Sequence, residues 1–92
     1  MRVIIIEDET PAAHRLTKML RDIGIEVTRK LDSVEASVRY LETAERPDLI
    51  FMDIQLADGL SFSIFEQVQL TTPVVFTTAF DNYMLKAFKV NS

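Results

Sequence analysis

The sequence lacks cysteine and long apolar runs, and each absence excludes a class of protein. Without cysteine there are no disulfide frameworks, thiolate zinc sites or cysteine nucleophiles, which fits a reducing compartment. No apolar run approaches the ~18 residues that a membrane span requires. The apolar start reaches Glu7 too soon for a signal peptide. We therefore predict a cytoplasmic protein without membrane contact.

Clustered positive charge is also missing. Ten lysines and arginines stand against fourteen aspartates and glutamates, which gives a net charge of −4, and the basic residues are scattered. Binding to nucleic-acid phosphates requires clustered basic residues, so we expect no nucleic-acid binding by this segment. With 92 residues, 48% of them hydrophobic, the composition is that of one small globular domain.

Strand and helix patterns alternate along the chain. Apolar, β-branched runs predict strands, and apolar residues at helical spacing predict the helices between them. This alternation is typical of an α/β fold with a parallel sheet, right-handed crossovers and helices on both faces. The predicted strands are Arg2–Ile6, Ile25–Leu31 at a sheet edge, Asp48–Met52 and Val74–Thr77.

Each predicted helix has an apolar stripe and at least one end signal. The stripes are Ala13, Leu16, Leu20 and Ile23; Val34, Val38 and Leu41; Leu60, Ile64, Phe65 and Val68, after a loop over Ile54–Gly59; and Met84, Ala87 and Phe88. The end signals are Thr10, Pro11 and Gly24; Asp32 or Ser33, and Pro47; Thr71–Pro73; and Asp81.

Acidic residues follow two of the predicted buried strands. Glu7 and Asp8 follow the first strand, and Asp53 follows the third. Because parallel strands end at the same edge of a sheet, we expect the three carboxylates to converge, where their repulsion calls for a cation. Mg²⁺ prefers such hard oxygen ligands. The sequence therefore predicts a Mg²⁺ site.

Among these carboxylates, Asp53 is the predicted nucleophile. With a metal cancelling charge, a carboxylate can attack phosphorus and form an aspartyl phosphate. Asp53 stands alone after a hydrophobic strand, whereas Glu7 and Asp8 form an adjacent pair suited to holding the ion. Thr78 follows the fourth strand, and small Ala79 leaves room for its hydroxyl to reach the phosphoryl oxygens.

A plainer interpretation exists for each acidic segment taken alone. Glu7 to Glu9 could be the solvated first turn of a helix, where carboxylates favour the macrodipole, and Asp53 could cap nearby amides. Only the coincidence of these loops in one sheet favours a site.

Four motifs resemble the receiver domains of bacterial two-component response regulators: Ile6-Glu7-Asp8-Glu9, Met52-Asp53-Ile54-Gln55-Leu56, Asp58-Gly59 and Phe76-Thr77-Thr78-Ala79-Phe80. The resemblance implies a flavodoxin-like, doubly wound sheet with strand order 2-1-3-4, and a phosphoacceptor regulatory domain rather than an enzyme. The run from Thr77 to Phe88 is most similar to receivers of the LytR/AlgR type, whose output is the LytTR DNA-binding module.

The resemblance also implies partners and ligands. A sensor histidine kinase or a small phosphodonor would supply the phosphoryl group to Asp53, and Thr78 would respond to it. Glu7, Asp8, Asp53 and the Gln55 backbone carbonyl would surround Mg²⁺. Phosphorylation would control an output domain that this chain does not contain.

One departure from the family lies at the end of the sequence. Receivers continue into a fifth strand, which carries a lysine that contacts the phosphoryl group, and a fifth helix; neither Lys86 nor Lys89 replaces that lysine. We therefore expect residues 1–92 to be a receiver domain that is incomplete at its C-terminus. The strand Val74–Thr77 would then be a sheet edge that pairs with another chain, giving a homodimer or a swapped assembly.

Three rival functions have different requirements. A flavodoxin-like FMN binder would need amides and hydroxyls where Glu7 to Glu9 would repel phosphate. A phosphatase of the haloacid dehalogenase type needs a second Asp where Gln55 stands. A non-phosphorylated interaction or dimerisation domain would keep the fold without the chemistry.

Overall fold

A computed structural model describes residues 1–43 and 46–77 of the chain. A helix lies between each parallel strand and the next along the chain, as the sequence predicts. Four parallel strands form one sheet, with the strand order β2-β1-β3-β6, and a short antiparallel hairpin, β4-β5, lies beyond β3. The elements are β1 (Val3–Ile6), α1 (Thr10–Asp22), β2 (Val27–Leu31), α2 (Val34–Thr43), β3 (Leu49–Met52), β4 (Gln55–Leu56), β5 (Gly59–Leu60), α3 (Ser63–Gln67) and β6 (Val74–Phe76).

The burial of each strand follows its position in the sheet. All four residues of β1, at the centre, are buried, as expected for a strand covered on both faces. β2 lies at an edge, and Thr28, Arg29 and Lys30 within it are exposed. The predicted fold class and strand order are therefore confirmed, with β6 as the fourth parallel strand.

Helix α1 differs from its prediction at both ends. Thr10 is its first residue rather than its cap, because the extended Glu9 precedes the helix and makes no side-chain capping bond. At the other end, Ile23 is 72% exposed, so it does not extend the buried stripe. Gly24 closes the helix as predicted: it adopts a φ of 88°, and its N–H donates to the carbonyl of Arg21, a Schellman-type ending.

The segment after β3 is the main correction to the predicted fold. Its predicted loop contains the hairpin β4-β5, and α3 has only five residues. Leu60 belongs to β5 and is 51% exposed, while Val68 is extended; neither lies on a helical stripe. The reason is a pair of hydrogen bonds, because the N–H and hydroxyl of Ser61 both donate to the carbonyl of Ile54. These bonds close the hairpin, so α3 begins only after Ser61.

Several predictions fall on residues 78–92, outside the described residues. These are the Thr78 hydroxyl, the helix capped by Asp81, and the positions of Lys86 and Lys89. Within the described ranges, no helix is both long and apolar enough to cross a membrane.

Candidate metal and phosphoryl site

Glu7, Asp8 and Asp53 meet at the carboxyl edge of the sheet, as predicted. One carboxylate oxygen from each lies within 4.8 Å of the others, and all three residues are half-buried. Glu7 and Asp8 follow β1, and Asp53 follows the adjacent β3. Because Ile6 and Met52 are register partners in these two strands, the residues that follow them emerge side by side.

Backbone hydrogen bonds fix the positions of these acidic residues. The Asp53 N–H donates to the Ile6 carbonyl at 3.0 Å, and the Glu7 N–H donates to the Leu31 carbonyl at 2.9 Å. On both sides of Asp53, Met52 and Ile54 are buried almost completely. Asp53 therefore sits between two core residues, and the alternation of an extended chain turns its side chain away from them.

The carboxylates repel one another in a partly desolvated setting. Burial raises the pKa of the Glu7 carboxyl above its ordinary value, against a hydrogen bond from the Glu9 N–H that lowers it. The negative charges of Asp53 and Asp8 raise this pKa further. Both effects penalise the charged form of Glu7, and a bound cation would relieve that penalty.

No ion pair neutralises these carboxylates within the part of the chain that the structure describes, although Lys30 lines the adjoining groove. Among residues 1–43 and 46–77, no lysine, arginine or histidine forms an ion pair with Glu7, Asp8 or Asp53. An open groove of about 370 Å³ adjoins Glu7 and Asp8 and is also lined by His14, Lys30 and Asp32. The site is therefore open to solvent on this side and rich in oxygen donors, which suits a hydrated Mg²⁺ ion.

Gln55 occupies the first position of the hairpin. Gln55 is exposed, and its backbone belongs to β4. Hydrogen-bonded and non-hydrogen-bonded pairs alternate in an antiparallel ladder. Because the Ser61 N–H bonds to the Ile54 carbonyl, the next pair, Gln55 with Leu60, is the non-hydrogen-bonded one. The Gln55 carbonyl is therefore not used by the hairpin ladder.

The role of Asp58 was missed by sequence reasoning, which noted it only within a family motif. Asp58 lies in the two-residue turn between β4 and β5. Its Oδ1 accepts the Val34 N–H at 2.8 Å, and its Oδ2 accepts the Glu35 N–H at 3.1 Å. An Asp-Gly pair predicts a turn. No feature of the sequence near Asp58 indicates that its carboxylate binds the start of a helix 24 residues earlier.

The fold and this edge define an α/β protein with an acidic site at the carboxyl ends of its central strands. The sequence matches the response regulator receiver domain family over residues 3–92. The chain therefore belongs to that family.

Curated relatives agree with this assignment and with the LytR type of receiver. The chain is 34% identical to the sensory transduction protein LytT of Bacillus cereus and 31% identical to the transcriptional regulatory protein LytR of Staphylococcus aureus. Each alignment covers all of this chain and 39% of the relative. The chain thus spans about two fifths of the length of these relatives.

Solved structures share the fold. The response regulator PhyR from Brucella abortus superposes with a TM-score of 0.79 at 32% identity, covering 97% of this chain and 37% of that one. The receiver domain of Erythrobacter litoralis PhyR gives a TM-score of 0.74 at 31% identity, covering 91% of this chain and 67% of the other.

Proposed function

We propose that this chain accepts a phosphoryl group on Asp53, with Mg²⁺ held by Glu7, Asp8, Asp53 and the Gln55 backbone carbonyl. The observation that carries the proposal is the meeting of three carboxylates within 4.8 Å at the carboxyl edge of the sheet. Ligands of open α/β sheets bind at that edge. Membership of the receiver family supports the same reading.

The donor set fits Mg²⁺ rather than a softer metal. Every ligand atom offered is an oxygen, and Mg²⁺ is bound by one or two carboxylates together with waters and phosphate oxygens. The Gln55 carbonyl, which the hairpin ladder does not use, would add a neutral oxygen to the charged ones. When bound, the ion would neutralise the carboxylates and the phosphoryl oxygens, so that an anionic donor can approach.

In the proposed reaction, a carboxylate oxygen of Asp53 attacks the phosphorus of the donor. A P–O bond to Asp53 forms while the bond from phosphorus to the donor's leaving atom breaks, and the leaving group takes the electron pair. The backbone bond from Asp53 to Ile6 and the buried neighbours on either side hold the nucleophile in place. The product is an acyl phosphate, a mixed anhydride.

The biological donor in this proposal is a sensor histidine kinase, and phosphorylation would regulate a separate output module. Two relatives are named a sensory transduction protein and a transcriptional regulatory protein. The chain covers only 39% of each relative, which leaves room in those proteins for an output domain. For this protein we propose a LytTR-type DNA-binding output.

Intact mass spectrometry after incubation with Mg²⁺ and acetyl phosphate tests the proposal. The parent protein should gain the mass of one phosphoryl group, and Asp53→Asn should gain none because an amide is not nucleophilic. Asp48→Asn is the matched control, because Asp48 precedes β3 at the amino end of the strand whereas Asp53 follows its carboxyl end. Its substitution should leave the gain in mass unchanged. A parent that never gains the mass would favour the non-phosphorylated interaction domain.

Self-association through β6 remains part of the proposal. β6 is the outer strand of the sheet over the described residues, and an outer strand with free backbone groups can pair with a second copy. Size-exclusion chromatography with light scattering should show a dimer. A monomer at all concentrations would contradict this.

A further inference from the structure

The hairpin β4-β5 is closed by hydrogen bonds at its base and is attached to α2 at its tip. At its base, Ser61 is completely buried, and its N–H and hydroxyl both donate to the Ile54 carbonyl, at 2.8 and 3.0 Å. At its tip, the Asp58 carboxylate accepts two N–H groups of α2. Gly59 enables the turn with a φ of 144°, which residues with a side chain rarely adopt.

The attachment of Asp58 to α2 has no local substitute. The first N–H groups of a helix have no partner within the helix. Ser33 caps α2 locally, but its hydroxyl oxygen accepts only the Ala36 N–H, at 3.0 Å. The Val34 and Glu35 N–H groups donate instead to the Asp58 carboxylate. This helix start is therefore shared between its own cap and a side chain from the loop after Asp53.

This attachment closes a ring of contacts around the acidic site. Asp53 is bonded to β1 through Ile6, and Glu7 is bonded to the end of β2 through Leu31. The chain from Leu31 reaches the start of α2 at Val34 in three residues, and Asp58 connects that point to the hairpin that follows Asp53. Leu56 of the hairpin and Val34 of α2 also share the buried core cluster, so Asp58 adds the hydrogen bonds that complete this ring.

We propose that Asp58 is a positioning residue for the acidic site: by holding the hairpin against α2, it sets where the Gln55 backbone carbonyl stands relative to Glu7, Asp8 and Asp53. This inference rests on the proposed Mg²⁺ and phosphoryl function. Asp58 is not among the residues proposed to hold the metal or to accept the phosphoryl group, since its two carboxylate oxygens accept N–H groups of α2. Its effect passes through Leu56 and Ala57, the two hairpin residues between it and Gln55.

The test compares Asp58→Ala with Ser33→Ala in the full chain. Both substitutions remove a cap from the same end of α2, but only Asp58→Ala removes hydrogen bonds between α2 and the hairpin. Mg²⁺ affinity is measured by amide NMR titration, and phosphorylation by acetyl phosphate is measured as separate KM and kcat values. Loss of a side chain that helps to position a metal ligand typically costs about tenfold or more in metal affinity. We therefore expect roughly tenfold weaker Mg²⁺ binding for Asp58→Ala. For Ser33→Ala we expect Mg²⁺ binding to weaken by less than about twofold, because Ser33 makes no bond to the hairpin.

Asp58→Asn provides a rescue experiment. Asparagine keeps one acceptor oxygen for the helix start, so it should recover part of the Mg²⁺ affinity, and amide exchange of the hairpin should be slower than in Asp58→Ala. Equal losses for Ser33→Ala and Asp58→Ala would show a general effect of α2 stability and overturn the proposal. Unchanged Mg²⁺ affinity in Asp58→Ala would overturn it as well.

Failure of the proposed function is distinguished by the parent protein. If the parent binds Mg²⁺ but never gains a phosphoryl group, phosphoryl acceptance is wrong, while the role of Asp58 is still decided by the Mg²⁺ titration. If the parent binds no Mg²⁺ at millimolar concentration, the positioning role is overturned together with the metal site.

Discussion

Replacing Glu7 by glutamine should stabilise the metal-free protein at pH 7 while weakening Mg²⁺ binding. Glutamine removes one of three carboxylates that approach within 4.8 Å, yet it keeps an oxygen to accept the Glu9 N–H. Two unit charges at 4 Å interact by about 1 kcal/mol in water and about 4 kcal/mol near a protein surface. Because these groups are only half-buried, we expect a gain of about 1 kcal/mol.

The gain should depend on pH in a defined direction. The folded-state pKa of Glu7 is raised, chiefly by burial, above its ordinary value of 4.5. The folded state therefore holds this proton more tightly than the unfolded chain does. The associated stability is complete below about pH 4.5 and is lost as the pH rises through the raised folded-state pKa. Glutamine imitates the protonated form, so the advantage of Glu7→Gln should be present at pH 7 and vanish near pH 3.5.

Urea unfolding followed by circular dichroism, with EDTA present, measures this difference. A gain of 1 kcal/mol corresponds to a rise in melting temperature of roughly 4–8 °C for a domain of this size. Glu26→Gln is the control, because Glu26 is exposed and precedes the amino end of β2, whereas Glu7 follows the carboxyl end of β1. Added Mg²⁺ should stabilise the parent more than it stabilises Glu7→Gln. If Glu7→Gln is no more stable than the parent at pH 7, the repulsion inferred here is wrong.

Three further predictions concern the scaffold. Ile64→Ala should cost about 2–5 kcal/mol in urea unfolding because Ile64 is completely buried in the core; a cost below 1 kcal/mol would contradict that packing. Gly24→Ala should cost about 1–2 kcal/mol, since its φ of 88° is unfavourable for a residue with a side chain, and an unchanged melting temperature would refute this. Hydrogen bonds from Val34 and Glu35 lower the pKa of Asp58. The stability that Asp58 contributes should therefore be present above its ordinary pKa and lost as the pH falls through the lowered value. Acid unfolding of Asp58→Asn should lack this loss of stability, and identical acid unfolding profiles for parent and variant would contradict the prediction.

The sequence alone determined the parallel sheet and the converging carboxylates. β1 and β3 are apolar runs that stop at acidic residues, and such runs pack at the centre of a sheet whatever surrounds them. Once strands are parallel, the residues that follow them must share an edge, so the proximity of Glu7, Asp8 and Asp53 followed from order along the chain. Gly24 is similarly local, because a left-handed residue after a helix depends on its neighbours only.

Only the tertiary structure decided the segment that follows Asp53. The residues from Leu60 to Val68 carry a helical apolar pattern, yet Ser61 is buried against the Ile54 carbonyl, and that contact makes a hairpin and shortens α3. The partner of Asp58 is a helix start more than 20 residues away. Contacts between residues so far apart in sequence depend on how helices and strands pack against one another. The sequence around Asp58 does not indicate which N–H groups its carboxylate will accept in the folded protein.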